Sequence, residues 1–532
     1  MPLSLAGQDK PVNALIDPQK LEQYVIAFNK HDNELYKQHV PNEAALTFLK
    51  GNIPLVDLPD KTLEKVYYFR WWTYRKHIKS THDGFVITEF LPKVSWSGRY
   101  NTINCPAGHH IYEGRWLRDP VYINDYVNFW LYHSGKGIRQ YSFWIADALL
   151  AHLKVHPNDT LLSRLFPALI GNYQSWEVER RDSLKVLFWQ IDNYDGMEFS
   201  ASGRLLNEGK KVVSMAAIRP TINSYMYGDA MALSVMAGML GKTAIERTFH
   251  KKAKNIKQEV ERRLWNDSLK FFTVMPRQFE ESTKPLPVRE IIGYVPWYFN
   301  LPGDDKEYAP AWNKLLDTTG FYAPIGLTVC ERAHPYFEIS YEGHECQWNG
   351  PSWPFATTQT LKSMANYLNN YEYNGSINAT DFYRLLKQYA LSHKRTTEKG
   401  LEIPWIDENL NPFTGDWISR TRLRSWENST WSTAKGGVER GKDYNHSGYC
   451  DLIISDLIGL KPATDNKIEI KPLIPEDWNW FLLDRIKYHG KELTVIWDKS
   501  GTKYGTGKGF MVYYDGKLAF KSDHIQPTEI EF

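Results

Sequence analysis

Two glutamates stand in settings that suit acid–base chemistry. Glu198 lies between Met197 and Phe199 in NYDGMEFSASG (193–203), a stretch with neither the period of a helix nor the alternation of a strand. Glu408 lies in DENLNP, beside Asp407 and Asn409. Cleavage of a glycosidic bond uses two carboxyls flanking the anomeric carbon. One protonates the departing oxygen and the other activates water or attacks directly. The acid must keep its proton near neutral pH, so it needs a poorly solvated surround. Met197 and Phe199 supply one, whereas the polar neighbours of Glu408 suit a base that stays ionised. Among 62 acidic residues either glutamate also fits an ordinary surface position, so local chemistry alone does not fix the pair.

Aromatic residues make up 14% of the chain, and many Trp and Tyr fall in Gly/Pro/Asn-rich stretches rather than in periodic segments. QWNGPSWPF, EIPWIDENLNPFTGDW and LRSWENSTW are examples. Flat rings with a polar tip suit the faces and rims of sugars, and they also fill cores. Trp348, Trp353 and Trp405 are the candidate stacking surfaces. Asp195 either contacts a sugar hydroxyl or caps a helix. Arg115, Trp116 and Asp119 in EGRWLRDP either line a pocket or form an ion-pair network at a helix start, with Pro120 in its first turn. Gly114 and the neighbouring turn residues favour the pocket.

His109, His110, His344 and His446 follow no HExxH spacing, and adjacent histidines diverge, so no metal site is expected. They read as structural or sugar-contacting, with His446 a hydroxyl contact. DNYDGME matches a calcium loop poorly, because such a loop alternates oxygen ligands ahead of its glycine. A structural calcium elsewhere stays open. Cys105, Cys330, Cys346 and Cys450 form no CxxC pair, which argues against zinc or thioredoxin-type chemistry.

A net charge of +2 gives no electrostatic reason to expect nucleic acid or an anionic membrane surface. No run of about 18 apolar residues suggests a transmembrane helix. MPLSLAGQDKPVN lacks the basic start and apolar core of a signal peptide. A removed export signal leaves the same appearance, so periplasmic, secreted and cytoplasmic residence all stay open, as does the oligomeric state.

These candidates must be positioned by helices joined by long loops. TAIERTFHKKAKNIKQEVERRLW places Ile245, Phe249, Ala253, Ile256, Val260 and Leu264 on one apolar stripe, with Gly241 ending the helix before it. NDTLLSRLFPALIGNY repeats the pattern behind a cap at Asn158 or Asp159. Successive helices of this kind form antiparallel hairpins. The irregular stretches 300–354 and 402–444 are longer than ordinary connections, which marks them as functional. After Pro462 the chain turns to short β-branched and aromatic runs, with Asp515-Gly516 as a hairpin turn. The expected domains are therefore 1–462, mainly α, and 463–532, a small β-sandwich-like region. Residues 83–96 read as a strand pair or a loop crossing the mouth.

ENLNPFTG (408–415) resembles the E-N-aromatic-N-P-x-T-G signature of the (α/α)6-barrel glucosidases of glycoside hydrolase family 63, in which the opening Glu is the general base. QWNGPSWPFATTQTL resembles their W-R-G-P-x-W sugar subsite, matched here by Trp348, Gly350, Pro351 and Trp353. GMEFSASG resembles the G-W-D-x-S-x-R segment of family 63 and of the trehalases of family 37, where the Asp is the general acid. Two positions depart from these patterns: the acid position carries Glu198 rather than Asp, and Asn349 replaces the Arg of the subsite. Most of residues 95–515 is similar to the mannosylglycerate-hydrolase-like group, whose polysaccharide-utilisation members include some resembling family 142, a β-L-arabinofuranosidase family. The resemblance implies an (α/α)6 toroid and an exo-acting, inverting glycosidase. Glu198 is then the acid and Glu408 the base, an oligosaccharide is the substrate, and no redox or organic cofactor is needed. Two rival classes remain. A sugar epimerase on the same barrel would use His344 and His446, and a glycan-binding protein would keep the pocket without turnover.

Overall fold

The computed structural model describes residues 15–182, 186–373, 375 and 377–532. Helices fill the chain up to about residue 457. The main ones are α1 (Lys61–His77), α2 (Ala107–Gly114), α3 (Val121–Tyr132), α4 (Ile145–Leu153), α5 (Asp159–Arg180) and α6 (Pro220–Met239). They continue with α7 (Thr243–Leu264), α8 (Val295–Tyr298), α9 (Pro354–Asn370), α10 (Ala379–Leu391) and α11 (Tyr449–Asp451), which runs on as a π-helix to Leu457.

Contacts among the described residues close a ring. α2 packs on α4, α4 on α6, α6 on α8, α8 on α9, α9 on the π-helical extension of α11, and α11 on α2. The outer layer holds α1 against α11, α3 against α2 and α4, α5 and α7 against α6, and α10 against α9. The remaining outer position is taken by the 3-10 turn Ala309–Lys314, whose Trp312 stacks on Tyr367 of α9 at 4.8 Å. This is an (α/α)6 toroid.

The local rules behind it are ordinary. On α7, Phe249, Ala253, Ile256, Val260 and Leu264 are buried, and Gly241 ahead of it takes φ +66°. Asn158 caps α5 by accepting from the Leu161 N–H at 2.9 Å, and Asp60 caps α1 through Thr62 and Leu63. The inner helices begin at the end of the toroid that carries the long loops. Cys105, Trp353 and His446 stand just before the N-termini of α2, α9 and α11. Partial positive charge at those N-termini favours carboxylates nearby.

The β region contains β4 (Leu460–Pro462), β5 (Lys467–Ile470), β6 (Trp480–Tyr488), β7 (Lys491–Asp498), β8 (Gly509–Tyr514), β9 (Lys517–Ser522) and β10 (Thr528–Glu531). β4, β5 and β10 form one antiparallel sheet. β6 to β9 form a second, and its outer strand is β1 (Leu55–Asp57), from the start of the chain, with Leu55 opposite Asp484. Asp515 (φ 52°) and Gly516 (φ 75°) turn β8 into β9. β2 (Ile78–Thr81) and β3 (Gly84–Ile87) make a hairpin directly after α1, and the chain then runs through 88–101 to the loop end of the toroid. No helix among the described residues is long and apolar enough to cross a membrane.

Candidate active site

A cavity of roughly 260 Å³ opens at the loop end, and Glu198, Glu408, Trp348, Trp353 and His446 line it together. Glu198 is placed by a compact knot. Asp192 accepts from the Met215 and Asn193 N–H groups and the Ser200 hydroxyl, at 2.6, 3.1 and 3.1 Å. Gly196 takes φ +77°, a conformation natural to glycine, and a side chain there would meet Cys105 Sγ at 3.0 Å. Phe199 is itself left-handed, at φ 59°. Ser200 caps the short helix Ala201–Leu206, and the Glu198 carbonyl accepts from Trp348 N–H at 2.9 Å, tying the two loops together. Met197 is buried, with its sulfur facing Arg219, and the Phe199 ring turns to His344, 5.6 Å away. Burial pushes the Glu198 carboxyl up to about 8 against a local backbone hydrogen bond, with the Glu408, Asp192 and Glu345 carboxylates adding to the rise.

Glu408 has the opposite surround. Arg440, itself 1% exposed, donates to Oε1, and the Cys346 thiol donates to Oε2 at 3.1 Å. Arg440 also binds Glu345 Oε1 at 2.9 Å, and Lys435 reaches the same oxygen at 3.0 Å. Burial opposes ionisation of Glu345, yet Arg440, His344 and Lys435 overcome it and hold its pKa at about 2. Arg440 lies over Phe90 and Trp96, with its guanidinium 5.3 and 5.2 Å from their rings.

The rest of ENLNPFTG builds the loop that carries Glu408. Asn409 bridges the Glu345 carbonyl at 3.0 Å and the Ser419 N–H at 3.1 Å. Asn411 accepts from Phe413 N–H at 3.0 Å, and its own N–H donates to the Asp416 carbonyl at 2.7 Å. Gly415 turns the chain at φ 78°. Ser352 and Leu410 exchange two backbone hydrogen bonds of 2.9 Å, which fixes this loop to the tryptophan loop. Gly441 packs on the Asp407 carboxyl, where a Cβ has no room. Burial, then the neighbouring Glu408, pushes Asp407 up to about 7.

Trp348 and Trp353 stack at 4.5 Å with 17° between planes, and Trp353 Nε1 donates to the Gln347 carbonyl at 3.0 Å. The other candidate residues lie elsewhere. Gly350 faces the Glu338 carbonyl, which leaves no space for a side chain, so its part is close packing. Asn349, in the place of the subsite Arg, donates to the Tyr336 carbonyl at 3.1 Å. Trp405 is buried between the Arg395 and Arg420 guanidinium groups, at 4.2 and 5.6 Å, away from the cavity. Asp195 sits behind the wall, where the Thr221 hydroxyl donates to it, and burial raises its pKa. Arg115 and Trp116 point to the far end of the toroid, where both donate to Asp451 Oδ1 at 2.7 Å. Asp119 is exposed and caps α3 through the Val121 N–H at 3.0 Å. EGRWLRDP is therefore an ion-pair network at a helix start, not a pocket wall. The physical reason is that its polar groups are already paired inside the protein, to Asp451 and Ser455 of α11 and its π-helical extension.

Several lining residues escaped the sequence reading: Glu89, Cys346, Lys435, Arg440 and Tyr444. The Glu89-Phe90 pair repeats the carboxylate-beside-aromatic pattern of Glu198-Phe199, a signal that was available. Burial pushes Glu89 up to about 8 against the hydrogen bond from Tyr444, with Glu408 and Glu198 adding to the rise. His344, Glu345 and Cys346 bring one metal-ligating atom each within 4.8 Å of one another. Lys435 and Arg440 already neutralise Glu345 there, and their charge opposes a metal ion.

A closed double ring of helices, with a carboxyl-lined pocket at the loop end and a β region behind, is the architecture of an α-toroid glycosidase. The model of the mannosylglycerate hydrolase MGH1-like glycoside hydrolase domain matches residues 99–447, and the chain belongs to that family. The C-terminal domain of glycosyl hydrolase family 65 matches residues 460–519. A solved structure named "Sialidase" superposes with a TM-score of 0.86 at 40% identity, over 97% of this chain and 45% of its own. The present chain thus spans less than half the length of that protein. A family 78 rhamnosidase of Bacillus sp. GL1 gives a TM-score of 0.52 at 11% identity, over 84% of this chain and 40% of its own. An α-L-rhamnosidase from Dictyoglumus thermophilum gives 0.51 at 12% identity, over 90% and 49%. The two rhamnosidases share the fold.

Proposed function

We propose that this domain is an exo-acting glycoside hydrolase that inverts anomeric configuration, with Glu198 as general acid and Glu408 as general base. The observation that carries the reading is the contrast between two carboxyls on one cavity. Glu198 is pushed up to about 8 by burial and by neighbouring carboxylates, so it holds a proton at neutral pH and gives it to the glycosidic oxygen. Glu408 is ion-paired to Arg440, so it takes a proton from water on the other face of the sugar. The base role, and with it inversion, rests on the resemblance of ENLNPFTG to the family 63 signature, whose opening Glu is the general base.

The cavity is smaller than the ordinary range of about 300–1,000 Å³ for ligand clefts. It suits one terminal sugar at the end of an oligosaccharide, hence exo action. The Trp348–Trp353 stack offers an apolar wall for that sugar. The epimerase reading has weaker support, because His344 Nδ1 already accepts from Cys346 N–H at 3.1 Å and its Nε2 faces Lys435 at 3.3 Å.

The test is a panel of aryl glycosides and plant-polysaccharide oligosaccharides with wild type and Glu408→Gln. Turnover by wild type and its loss in the variant are expected, with the first-formed anomer inverted by NMR. A retained anomer removes the inverting assignment. Oligosaccharide binding without sugar release by wild type removes the enzymatic one.

A further inference from the structure

The acid–base pair leaves one pocket carboxyl without a task. Glu89 is 6% exposed, lines the same cavity as Glu198 and Glu408, and precedes the residues matched by the family model. Its backbone is fixed: the Asn445 N–H donates to the Glu89 carbonyl at 3.1 Å, and the Asn445 amide donates to the Thr88 carbonyl at 3.3 Å. The Tyr444 hydroxyl donates to Glu89 Oε1. The Tyr444 ring lies 3.9 Å from the ring of His446. His446 is 2% exposed; its ring faces the Glu408 backbone carbonyl, and neither ring nitrogen bonds a side chain.

One wall of the pocket therefore carries a carboxyl, a phenol and an imidazole, with no ion pair to Glu89 among the described residues. Arg440, the nearby cation, is already shared by Glu345 and Glu408. Burial holds Glu89 protonated up to about 8 and holds His446 neutral. Because Tyr444 occupies Oε1, the Glu89 proton resides on Oε2. A neutral imidazole presents one N–H donor and one nitrogen acceptor. Buried polar groups of this kind cost free energy until they are paired. One sugar hydroxyl satisfies the Glu89 oxygen that Tyr444 leaves free, and a neighbouring hydroxyl satisfies the imidazole nitrogen turned away from the Glu408 carbonyl.

We propose that Glu89, held by Tyr444 beside His446, is a specificity-determining residue that hydrogen-bonds a hydroxyl of the terminal sugar while His446 takes its neighbour, and that Glu89 takes no part in proton transfer to the leaving group. The proposal rests on the sugar-pocket reading of the site, and its test separates the two. Binding is read from quenching of the pocket tryptophans by D-glucose, D-mannose, L-rhamnose and L-arabinose, which needs no turnover. The proteins are wild type, Glu89→Gln, Glu89→Ala and Tyr444→Phe, each checked for its thermal transition.

The best-bound sugar is expected to lose roughly tenfold or more in affinity with Glu89→Ala, the size of a hydrogen bond lost to a buried group. Glu89→Gln, which keeps a donor, restores it to within about threefold, and Tyr444→Phe falls between. On any aryl glycoside that is turned over, Glu89→Ala raises KM more than it lowers kcat, and Glu198→Gln does the reverse. Unchanged affinity in Glu89→Ala, no saturable quenching of wild type by any of the four sugars, or a collapse of kcat in Glu89→Gln equal to that of Glu198→Gln overturns the proposal. Absence of turnover on every aryl glycoside, with the binding differences intact, defeats the hydrolase reading instead.

Discussion

The two ends of the toroid both bury ionisable groups and use them differently. At the far end, Arg115 and Lys362 face Asp451, and Lys362 and Lys461 face Asp456. Each carboxylate there has a cation, Trp116 and Ser455 fill further acceptor sites, and no pocket described above touches the cluster. At the loop end, Arg440 and Lys435 serve Glu345 and Glu408, while Glu198 and Glu89 face open space without a counter-ion. Buried charge alone does not mark a site. A carboxyl left unmatched beside a cavity does, because the fold bears its cost without recovering it in stability.

The contrast breaks most visibly by substitution. Glu408→Gln and Glu198→Gln are each expected to lower kcat on aryl glycosides by about 10²–10⁴-fold. Glu198→Gln leaves the melting temperature close to that of wild type, whereas Glu408→Gln lowers it, because Arg440 keeps only Glu345 as a carboxylate partner. The Glu198 loss shrinks for good leaving groups, which need no acid. Asp451→Asn does the opposite. It leaves Arg115 underpaired, costs about 3–5 kcal/mol in stability by denaturant titration, and keeps the kinetics of the folded fraction.

A second test uses pH. Glu198 and Glu89 have folded values of about 8, and Glu113 and Asp407 of about 7, all raised by burial above their unfolded range. Between pH 5 and 8 the folded chain therefore holds protons that the unfolded chain has released. Stability falls as pH rises through that window, by up to about 1.4 kcal/mol per pH unit for each proton held. Glu345, with its depressed value of about 2, acts in the other direction: its contribution is present above pH 4.5 and is lost only toward pH 2. Calorimetry from pH 4 to 9 on wild type and Glu89→Gln is expected to show a shallower decline in the variant. Activity falls through about pH 8 as Glu198 loses its proton.

The smaller effects sharpen the boundary. Cys346→Ala removes the thiol that donates to Glu408 and is expected to lower kcat by roughly three- to tenfold with KM little changed, on the same glycosides. Asp119→Ala removes a helix cap, costs about 1 kcal/mol in a thermal melt and leaves catalysis alone.

The helices were legible because their apolar stripes and caps are local; Asn158, Asp60 and Gly241 sit at helix ends as their chemistry demands. ENLNPFTG was legible because its asparagines serve the backbone within one loop. Arg440 and Tyr444 were not, because they meet Glu408 and Glu89 only after the toroid closes, bringing residues 89, 198, 345, 408 and 440 to one cavity. Arg115 and Trp116 misled for the same reason: their partner, Asp451, is more than 300 residues away. The β region was visible as strands, yet nothing near Leu55 announces that it pairs with Asp484.

That last pairing bears on how the chain is made. Leu55–Asp57 is made before the helical ring, and the strand that covers it, Trp480–Tyr488, follows more than 400 residues later. Until then the segment ahead of α1 presents an unpaired edge, the kind of surface that invites wrong partners. The helical ring can assemble hairpin by hairpin, but the strand ahead of it is protected only once Trp480–Tyr488 has been made.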